Sequence, residues 1–238
     1  MGAPPGTAAC PALPFERSHP CMNPLRLFLR FFFWHFYHRF AWTYDFVADV
    51  VSIGRWKDWV QCAIPFVRGG SVLEMGYGPG HLQIYLREQT GAWVAGLDES
   101  AEMARLAQAG LRSSGYGDTA LTRGIGQALP FAAGAFDTIV ATFPTEYIFE
   151  PPALQEVKRV LKSDGRLVVV PAAWILGRRA LDRVAAWLFR VTDQAPRLPA
   201  EIVGERLRAG FVEAGFVPEF RSVEVRSSVV LVVIARPQ

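Results

Sequence analysis

SVLEMGYGPG, at residues 71–80, is the stretch that decides the fold of this chain. A short apolar run bounded by glycine is typical of a buried strand. Glycine follows at positions 76, 78 and 80, and it suits backbone that takes positive φ or must approach a ligand closer than a Cβ permits. A helix beginning after Gly80 would present free backbone N–H groups, which attract carboxylate or phosphate. The stretch therefore predicts a strand, a ligand-binding turn and a helix.

Strands and helices alternate after this stretch, which predicts a mostly parallel sheet with helices on both faces. We expect further strands at 92–98, 120–125, 136–143 and 166–171, and helices at 80–89, 100–113 and 152–161. A helix at 199–214 then precedes two strands, 219–225 and 229–235, joined at Ser227-Ser228. A closing hairpin makes the last strand antiparallel. The prediction is a Rossmann-like α/β fold with a seven-stranded sheet.

Two residues separate this glycine turn from that of the dinucleotide-binding dehydrogenases. The dehydrogenase pattern needs its third glycine at position 81, where this chain has His81. Glu74 precedes the turn, and a carboxylate there would repel a pyrophosphate. The same carboxylate suits a ligand that carries an ammonium and a sulfonium group.

Asp98 ends the second predicted strand, 24 residues after Glu74. A carboxylate at this strand end can accept hydrogen bonds from both hydroxyls of an adenosine ribose. It could instead cap the helix predicted to start near Ser100; we favour ribose binding because of its spacing from the glycine turn. Met103, one turn into that helix, suits either an adenine face or the core.

Four segments in order resemble the successive motifs of class I S-adenosylmethionine-dependent methyltransferases. They are LEMGYGPG at 73–80, GLDESAEM at 96–103, ALPF at 128–131 followed by Phe136-Asp137, and EVKRVLKSDGRL at 156–167. The resemblance covers about 71–171 and implies S-adenosylmethionine as the cofactor. One position departs from it: relatives commonly have an acidic residue five positions before Pro130, to hold the adenine amino group, and this chain has Ile125. Backbone near Gly126, the side chain of Gln127, or packing on Ile125 would have to hold the adenine instead.

The predicted cofactor contacts come from the ends of successive strands and the turns after them. They are Glu74, Gly76, Tyr77, Gly78, Gly80, Asp98, Glu99, Met103, Ile125, Gly126, Gln127 and Thr142.

The segments outside these motifs are predicted to elaborate the domain. Residues 1–22 are rich in Pro, Ala and Gly, and we expect a disordered tail; the methyltransferase domain would span 23–238. Its first part, 23–67, is predicted to form helices: PLRLFLRFFFWHFYHRFAWTY at 24–44 and a second helix at about 45–67. Residues 174–195 are predicted as a lid whose amphipathic helix runs from 174 to 191. The aromatic helix at 24–44 either packs as core, or walls a lipophilic pocket or lies in a membrane interface.

Composition narrows the function classes. The chain has 238 residues, a formal net charge of +3 and three cysteines. So small a charge argues against a nucleic-acid binder. The sparse cysteines favour a reducing, cytoplasmic location. The aromatic, arginine-edged segments 24–43 and 174–191 could add contact with a membrane. Neither the cysteines nor the four histidines have the spacing of a metal site, so no metal is expected.

The acceptor of the methyl group has to be argued from weaker features. Tyr44-Asp45, Asp49, Ser52, Gly54 and Trp59 resemble the corresponding region of the ubiquinone/menaquinone C-methyltransferases, whereas residues 141–148 do not. With the aromatic, arginine-edged helices, this indicates a lipophilic acceptor such as a quinone precursor or a lipid. A soluble small-molecule amine or hydroxyl, a phospholipid amine, and cofactor binding without turnover remain alternatives.

A base near the acceptor would help if a proton must be removed. Glu146 and His38 are the predicted catalytic residues, and His35 and His81 are further candidates for the base. Tyr44 or Tyr147 could supply a positioning hydroxyl.

Overall fold

A seven-stranded sheet with the order β3-β2-β1-β4-β5-β7-β6 is the centre of the domain. The computed structural model describes residues 54–117, 120–176 and 200–238. The strands are β1 (Ser71–Met75), β2 (Trp93–Asp98), β3 (Ala120–Arg123), β4 (Phe136–Thr142), β5 (Leu161–Ile175), β6 (Phe216–Val225) and β7 (Ser228–Pro237). The predicted seven-stranded Rossmann-like fold is therefore confirmed.

Helices cover both faces of this sheet. They are α1 (Trp56–Gln61), α2 (His81–Thr90), α3 (Ala101–Ser113), α4 (Pro151–Val160) and α5 (Ala200–Glu213), with 3₁₀ helices at Ile64–Phe66 and Glu146–Phe149. Successive side chains of a strand point to opposite faces. Along β1, Val72 packs in the cluster of α1 and α2, whereas Leu73 and Met75 pack in the cluster of α4 and α5. Two apolar cores thus hold the sheet between helical layers.

The parallel register brings several strand ends to one edge of the sheet. Glu74 is the partner of Gly96 in β2 and of Val140 in β4, so β1, β2 and β4 end together. We call this side of the sheet the carboxyl edge. In open α/β sheets, ligands bind at this edge.

The closing hairpin is confirmed, with one feature that the sequence does not indicate. β7 pairs antiparallel with both β5 and β6, so the later strand of the hairpin lies inside the sheet. Arg226 takes the left-handed conformation, with φ 51°, in the turn between β6 and β7.

Two predicted helices differ from the structure. The helix expected at 45–67 is, within the described residues, a short α1 followed by the 3₁₀ helix Ile64–Phe66; Pro65 lacks the backbone N–H needed to continue an α-helix. The lid helix expected from Trp174 is wrong at its start. Trp174 and Ile175 end β5 and pair with Val229 and Ser228 of β7, so sheet pairing overrides the amphipathic pattern. The rest of the predicted lid, the tail and the aromatic helix at 24–44 lie outside the described residues.

Asp137 fastens the opposite, amino edge of the sheet. One of its carboxylate oxygens accepts hydrogen bonds from the backbone N–H of Gly70 and of Ser71, at 3.0 and 2.9 Å, and from the Ser71 hydroxyl at 2.7 Å. The other oxygen accepts from Lys162 Nζ at 2.7 Å. A Cβ at Gly69 would lie 2.2 Å from that of Asp137, so only glycine fits there. Asp137 therefore ties β1, β4 and β5 together.

Another pair from the sequence motifs also has a structural role. Glu156 accepts a hydrogen bond from the backbone N–H of Leu129 at 2.8 Å. Arg159 donates to the carbonyls of Leu129 and Phe131, both at 2.8 Å, and pairs with Glu156. The two side chains clamp the segment between β3 and β4 onto α4.

Replacement of Asp137 by alanine should destabilise the domain by about 1–3 kcal/mol, because it removes hydrogen bonds to a charged acceptor. The hydrogen bond from Lys162 lowers the pKa of Asp137 to about 2. A lowered pKa stabilises the fold above the ordinary carboxyl pKa, and this stabilisation is lost as pH falls toward 2. Urea unfolding at pH 7 and pH 3 should therefore show a smaller difference at pH 3. Exposed Asp164→Ala is the control; an equal loss in both variants at pH 7 would contradict the assignment.

Candidate active site

The glycine turn after β1 has the backbone conformation that its sequence predicts. Gly76, Gly78 and Gly80 have φ values of 71°, 52° and 87°. The Gly76 N–H donates to Leu97 O at 2.7 Å, which joins the turn to the end of β2. A Cβ at Gly80 would lie 2.9 Å from that of Ala107, so this glycine also lets α2 approach α3. The turn opens at the carboxyl edge.

Asp98 connects the end of β2 to this turn. Its Oδ2 accepts a hydrogen bond from the Gly78 N–H at 2.9 Å, and its Oδ1 accepts one from the Ser100 N–H at 2.8 Å. The N-cap of α3 is Ser100, whose hydroxyl accepts from the Met103 N–H at 3.3 Å. Because each carboxylate oxygen has a second lone pair, Asp98 can still accept hydrogen bonds from ribose hydroxyls.

Glu74 lies behind the turn and is only 2% exposed. Gln83 Nε2 donates to Glu74 Oε2 at 2.8 Å and to Ala95 O at 3.2 Å. Burial, with a smaller contribution from the charge of Asp98, raises the pKa of Glu74 to about 8. A cation bound near the turn would favour the ionised carboxylate. Sequence reasoning missed Gln83; the available signal was a polar residue between Leu82 and Leu86 on the buried face of α2.

Tyr77 fills the space left by a glycine in β2. A Cβ at Gly96 would lie 2.6 Å from Tyr77 Cδ1, so the ring packs directly over that residue. Tyr77 is buried, which raises its pKa to about 12, with Asp98 adding to the shift. The side chain packs the glycine turn against β2. Its predicted contact with the cofactor stays a prediction.

Tyr147, in the 3₁₀ helix after β4, spans two segments of the candidate site. A Cβ at Gly126 would lie 2.8 Å from Tyr147 Cε2, and one at Gly76 would lie 3.3 Å from the Tyr147 hydroxyl. Burial raises the pKa of Tyr147 to about 12, and the charges of Asp98, Glu99 and Glu74 add to the shift. The hydroxyl is therefore close to the side-chain carboxylates that are predicted to bind the cofactor. Tyr147 itself was not among the predicted cofactor contacts.

The remaining predicted residues take varied positions. Ile125 is 49% exposed and Gly126 is buried, while Gln127 Nε2 donates to Glu150 Oε2 at 2.9 Å. Glu99 is exposed, whereas Met103 and Thr142, the last residue of β4, are half-buried.

Of the two predicted catalytic residues, Glu146 begins the 3₁₀ helix that carries Tyr147, and His38 lies outside the described residues. Within the described ranges, no three His, Cys, Asp or Glu residues are grouped to hold a metal ion. Likewise, no helix in this part of the chain is long and apolar enough to cross a bilayer.

Comparison with known proteins shows a family resemblance for this site. Residues 72–165 match the sequence model described as a methyltransferase domain. The ubiquinone/menaquinone biosynthesis C-methyltransferase of Geotalea uraniireducens is 29% identical over an alignment of 134 residues, which covers 53% of this chain and 57% of that protein. This chain thus matches little more than half the length of that relative.

Solved structures share the fold. A putative S-adenosyl-L-methionine-dependent methyltransferase from Methanococcus maripaludis superposes with a TM-score of 0.62 at 20% identity, over 83% of this chain and 92% of that one. The geranyl diphosphate C-methyltransferase of Streptomyces coelicolor gives 0.53 at 16% identity, over 76% and 78%. These findings confirm the fold, the family resemblance and S-adenosylmethionine as the predicted cofactor.

Asp98→Ala should weaken S-adenosylmethionine binding by about 100-fold or more, because two hydrogen bonds to a charged acceptor are lost. Isothermal titration calorimetry measures the affinity, and circular dichroism checks the fold. Glu102→Ala, in the first turn of α3, is the matched control and should bind normally. Unchanged affinity in Asp98→Ala would exclude the ribose role, and binding of NAD by the native chain would contradict the cofactor class.

Affinity for S-adenosylmethionine should rise with pH up to about 8. The raised pKa leaves Glu74 protonated below this pH in the free protein, and a cationic ligand favours its ionised form, so binding expels the proton. Calorimetry between pH 6 and 9 should compare the pH dependence of affinity in the native chain and in Glu74→Gln. The ligand's own titration affects both proteins equally and cancels from the difference. Parallel profiles in the two proteins would rule out this coupling.

Proposed function

Because this chain carries a class I methyltransferase domain, we propose that it transfers the methyl group of S-adenosylmethionine to a small lipophilic acceptor, such as a quinone precursor or a lipid. The observation that carries the proposal is the meeting of Glu74, Asp98 and the glycine turn at one edge of the sheet. When bound, the cofactor supplies an electrophilic methyl carbon: the acceptor's electron pair forms a bond to it as the carbon–sulfur bond breaks, and S-adenosylhomocysteine leaves.

The donor set at the carboxyl edge suits this cofactor. Asp98 would bind the ribose hydroxyls, and the free N–H groups where α2 begins would bind the carboxylate. Glu74, which lies behind the turn, would stabilise the positive charge of the cofactor. The half-exposed side chain of Ile125 offers an apolar surface for the adenine in place of an acidic partner. The protein's main contributions to the reaction are then alignment and exclusion of water.

A lipophilic acceptor is supported by the residues around the same edge. Leu176, just after β5, is 64% exposed, and Ile125, just beyond β3, is also exposed. The sequence segments 24–43 and 174–191, which lie outside the described residues except for 174–176, contain aromatic residues and arginines. Arginines beside apolar helices attract a protein to anionic membranes, by about 1 kcal/mol each. The sequence relative named above is a ubiquinone/menaquinone biosynthesis enzyme, which favours the quinone-precursor class.

Proton removal from an oxygen or carbon acceptor is assigned to Glu146 or His38. Glu146 starts the 3₁₀ helix whose next residue, Tyr147, packs against Gly126. This helix therefore brings Glu146 to the carboxyl edge. A soluble amine or hydroxyl acceptor, and cofactor binding without turnover, are the alternatives to the proposal.

The native chain should transfer labelled methyl groups to a component of a membrane-lipid extract presented as vesicles, and mass spectrometry should identify the product. Asp98→Ala should give much less product at the same low concentration of S-adenosylmethionine, because it lacks the ribose anchor and binds the cofactor about 100-fold more weakly. Glu146→Gln should lower kcat by about 100-fold, with the KM for S-adenosylmethionine unchanged, if Glu146 is the base.

Cosedimentation of the protein with anionic vesicles at low salt checks the membrane contact. Label in water-soluble amines alone would overturn the lipophilic assignment, and cofactor binding without any product would favour the non-enzymatic alternative.

A further inference from the structure

Phe143 has an unusual backbone conformation where β4 ends. Its φ is 46°, which is a genuine outlier for a bulky side chain and is found where the surrounding structure enforces it. The Phe143 N–H donates to Val170 O at 2.7 Å, which holds this backbone beside β5. The next residue is Pro144, whose ring favours an extended backbone at Phe143, so the positive φ is held against this preference.

The conformation changes the face to which the ring points. Ile139 and Ala141 pack in the core cluster of α4 and α5, and strand alternation would send Phe143 to that same side. Instead, Phe143 packs against the other cluster, which contains the residues of α1. The left-handed turn therefore delivers an aromatic ring to the α1 side of the carboxyl edge.

On that side Phe143 meets two tryptophans of α1. The Phe143 and Trp56 ring centroids lie 4.5 Å apart with an interplanar angle of 33°, and the Trp59 centroid is 6.1 Å from that of Phe143. Trp59 is fully buried and supports the pair from the core. Trp56 and Phe143 are only half-buried, so neither residue is wholly enclosed by the core.

The aromatic pair packs against a larger apolar cluster, which the ends of β5 and β6 also contact. Ile175, at the end of β5, and Val225, at the end of β6, pack against the same cluster. Arg226 Nε pairs with Asp58 Oδ2 at 2.9 Å, which joins the β6–β7 turn to α1. β4 is adjacent to β1, so Phe143 lies at the end of the strand next to the glycine turn.

We propose that Trp56 and Phe143 form a wall that binds the acceptor through a planar aromatic face. This inference rests on the proposed function and narrows its acceptor to molecules with a flat conjugated ring. Rings prefer offset or tilted contacts with other rings over contacts with saturated groups of similar size. An aromatic acceptor would gain this ring contact, whereas a saturated lipid would gain only burial of its apolar surface. Trp56 and Phe143 would thus determine specificity.

Two matched probes separate aromatic recognition from burial alone: 2-naphthol and its saturated analogue decahydro-2-naphthol. Equilibrium dialysis with the cofactor-loaded native chain should show 2-naphthol binding about tenfold more tightly. Trp56→Leu and Phe143→Leu should remove this preference, and Phe143→Tyr should retain it. Phe143→Gly keeps the positive φ without a ring, so it tests the loss of the ring in a fold-compatible variant. Trp93→Leu is the control, because Trp93 is 55% exposed and stacks on Phe136 at the amino edge.

Three outcomes would overturn the proposed aromatic wall. The native chain could bind the two probes equally, it could bind neither, or Phe143→Gly could keep the preference for 2-naphthol. All variants should bind S-adenosylmethionine as the native chain does. Because dialysis needs no turnover, absence of methyl transfer would refute the proposed function and leave this measurement intact. A loss of naphthol preference that followed loss of S-adenosylmethionine binding in every wall variant would point to collapse of the cofactor site and also contradict the proposal.

Discussion

The parallel register of β1 with β2 and β4 is the constraint on which the site depends. It makes Glu74 a neighbour of Gly96 and of Val140, so that the loops after the three strands emerge side by side. The Gly76 N–H bonded to Leu97 O, and Asp98 bonded to the Gly78 N–H, then fasten two of these loops to each other. Moving one strand by a single residue would turn each of its side chains to the opposite face of the sheet, and it would separate these groups.

Residues with local roles were predictable from the sequence, and residues with tertiary roles were not. The positive φ values of the glycine turn follow from composition and spacing, because only glycine takes them freely. The burial of Glu74 under Gln83, and the reach of Tyr147 to Gly126, depend on which elements pack together. The extension of β5 through Trp174 was missed for the same reason, since β7 supplies its hydrogen-bond partners. Ribose binding by Asp98 stays a prediction, although Ser100 proves to be the cap of α3.

Residues of the family motifs divide between the two edges of the sheet. Glu74 and Asp98 face the carboxyl edge, where cofactor chemistry is expected. Asp137 fastens the amino edge, and Glu156 holds the segment at Leu129 onto α4. Motif resemblance alone does not show which of these acidic residues bind the cofactor and which stabilise the fold. Their hydrogen-bond partners distinguish them, because Asp137 and Glu156 each accept from both the backbone and a basic side chain of the protein.

The insertion of β7 between β5 and β6 has a consequence for the order in which the domain can assemble. Among the described strands, β6 pairs only with β7, which the ribosome makes later. Until β7 emerges, the newly made sheet stops at β5, and its exposed edge offers unpaired backbone groups to other chains. The nascent protein would then be most open to aggregation, and to protection by chaperones, just before synthesis of its described strands is complete.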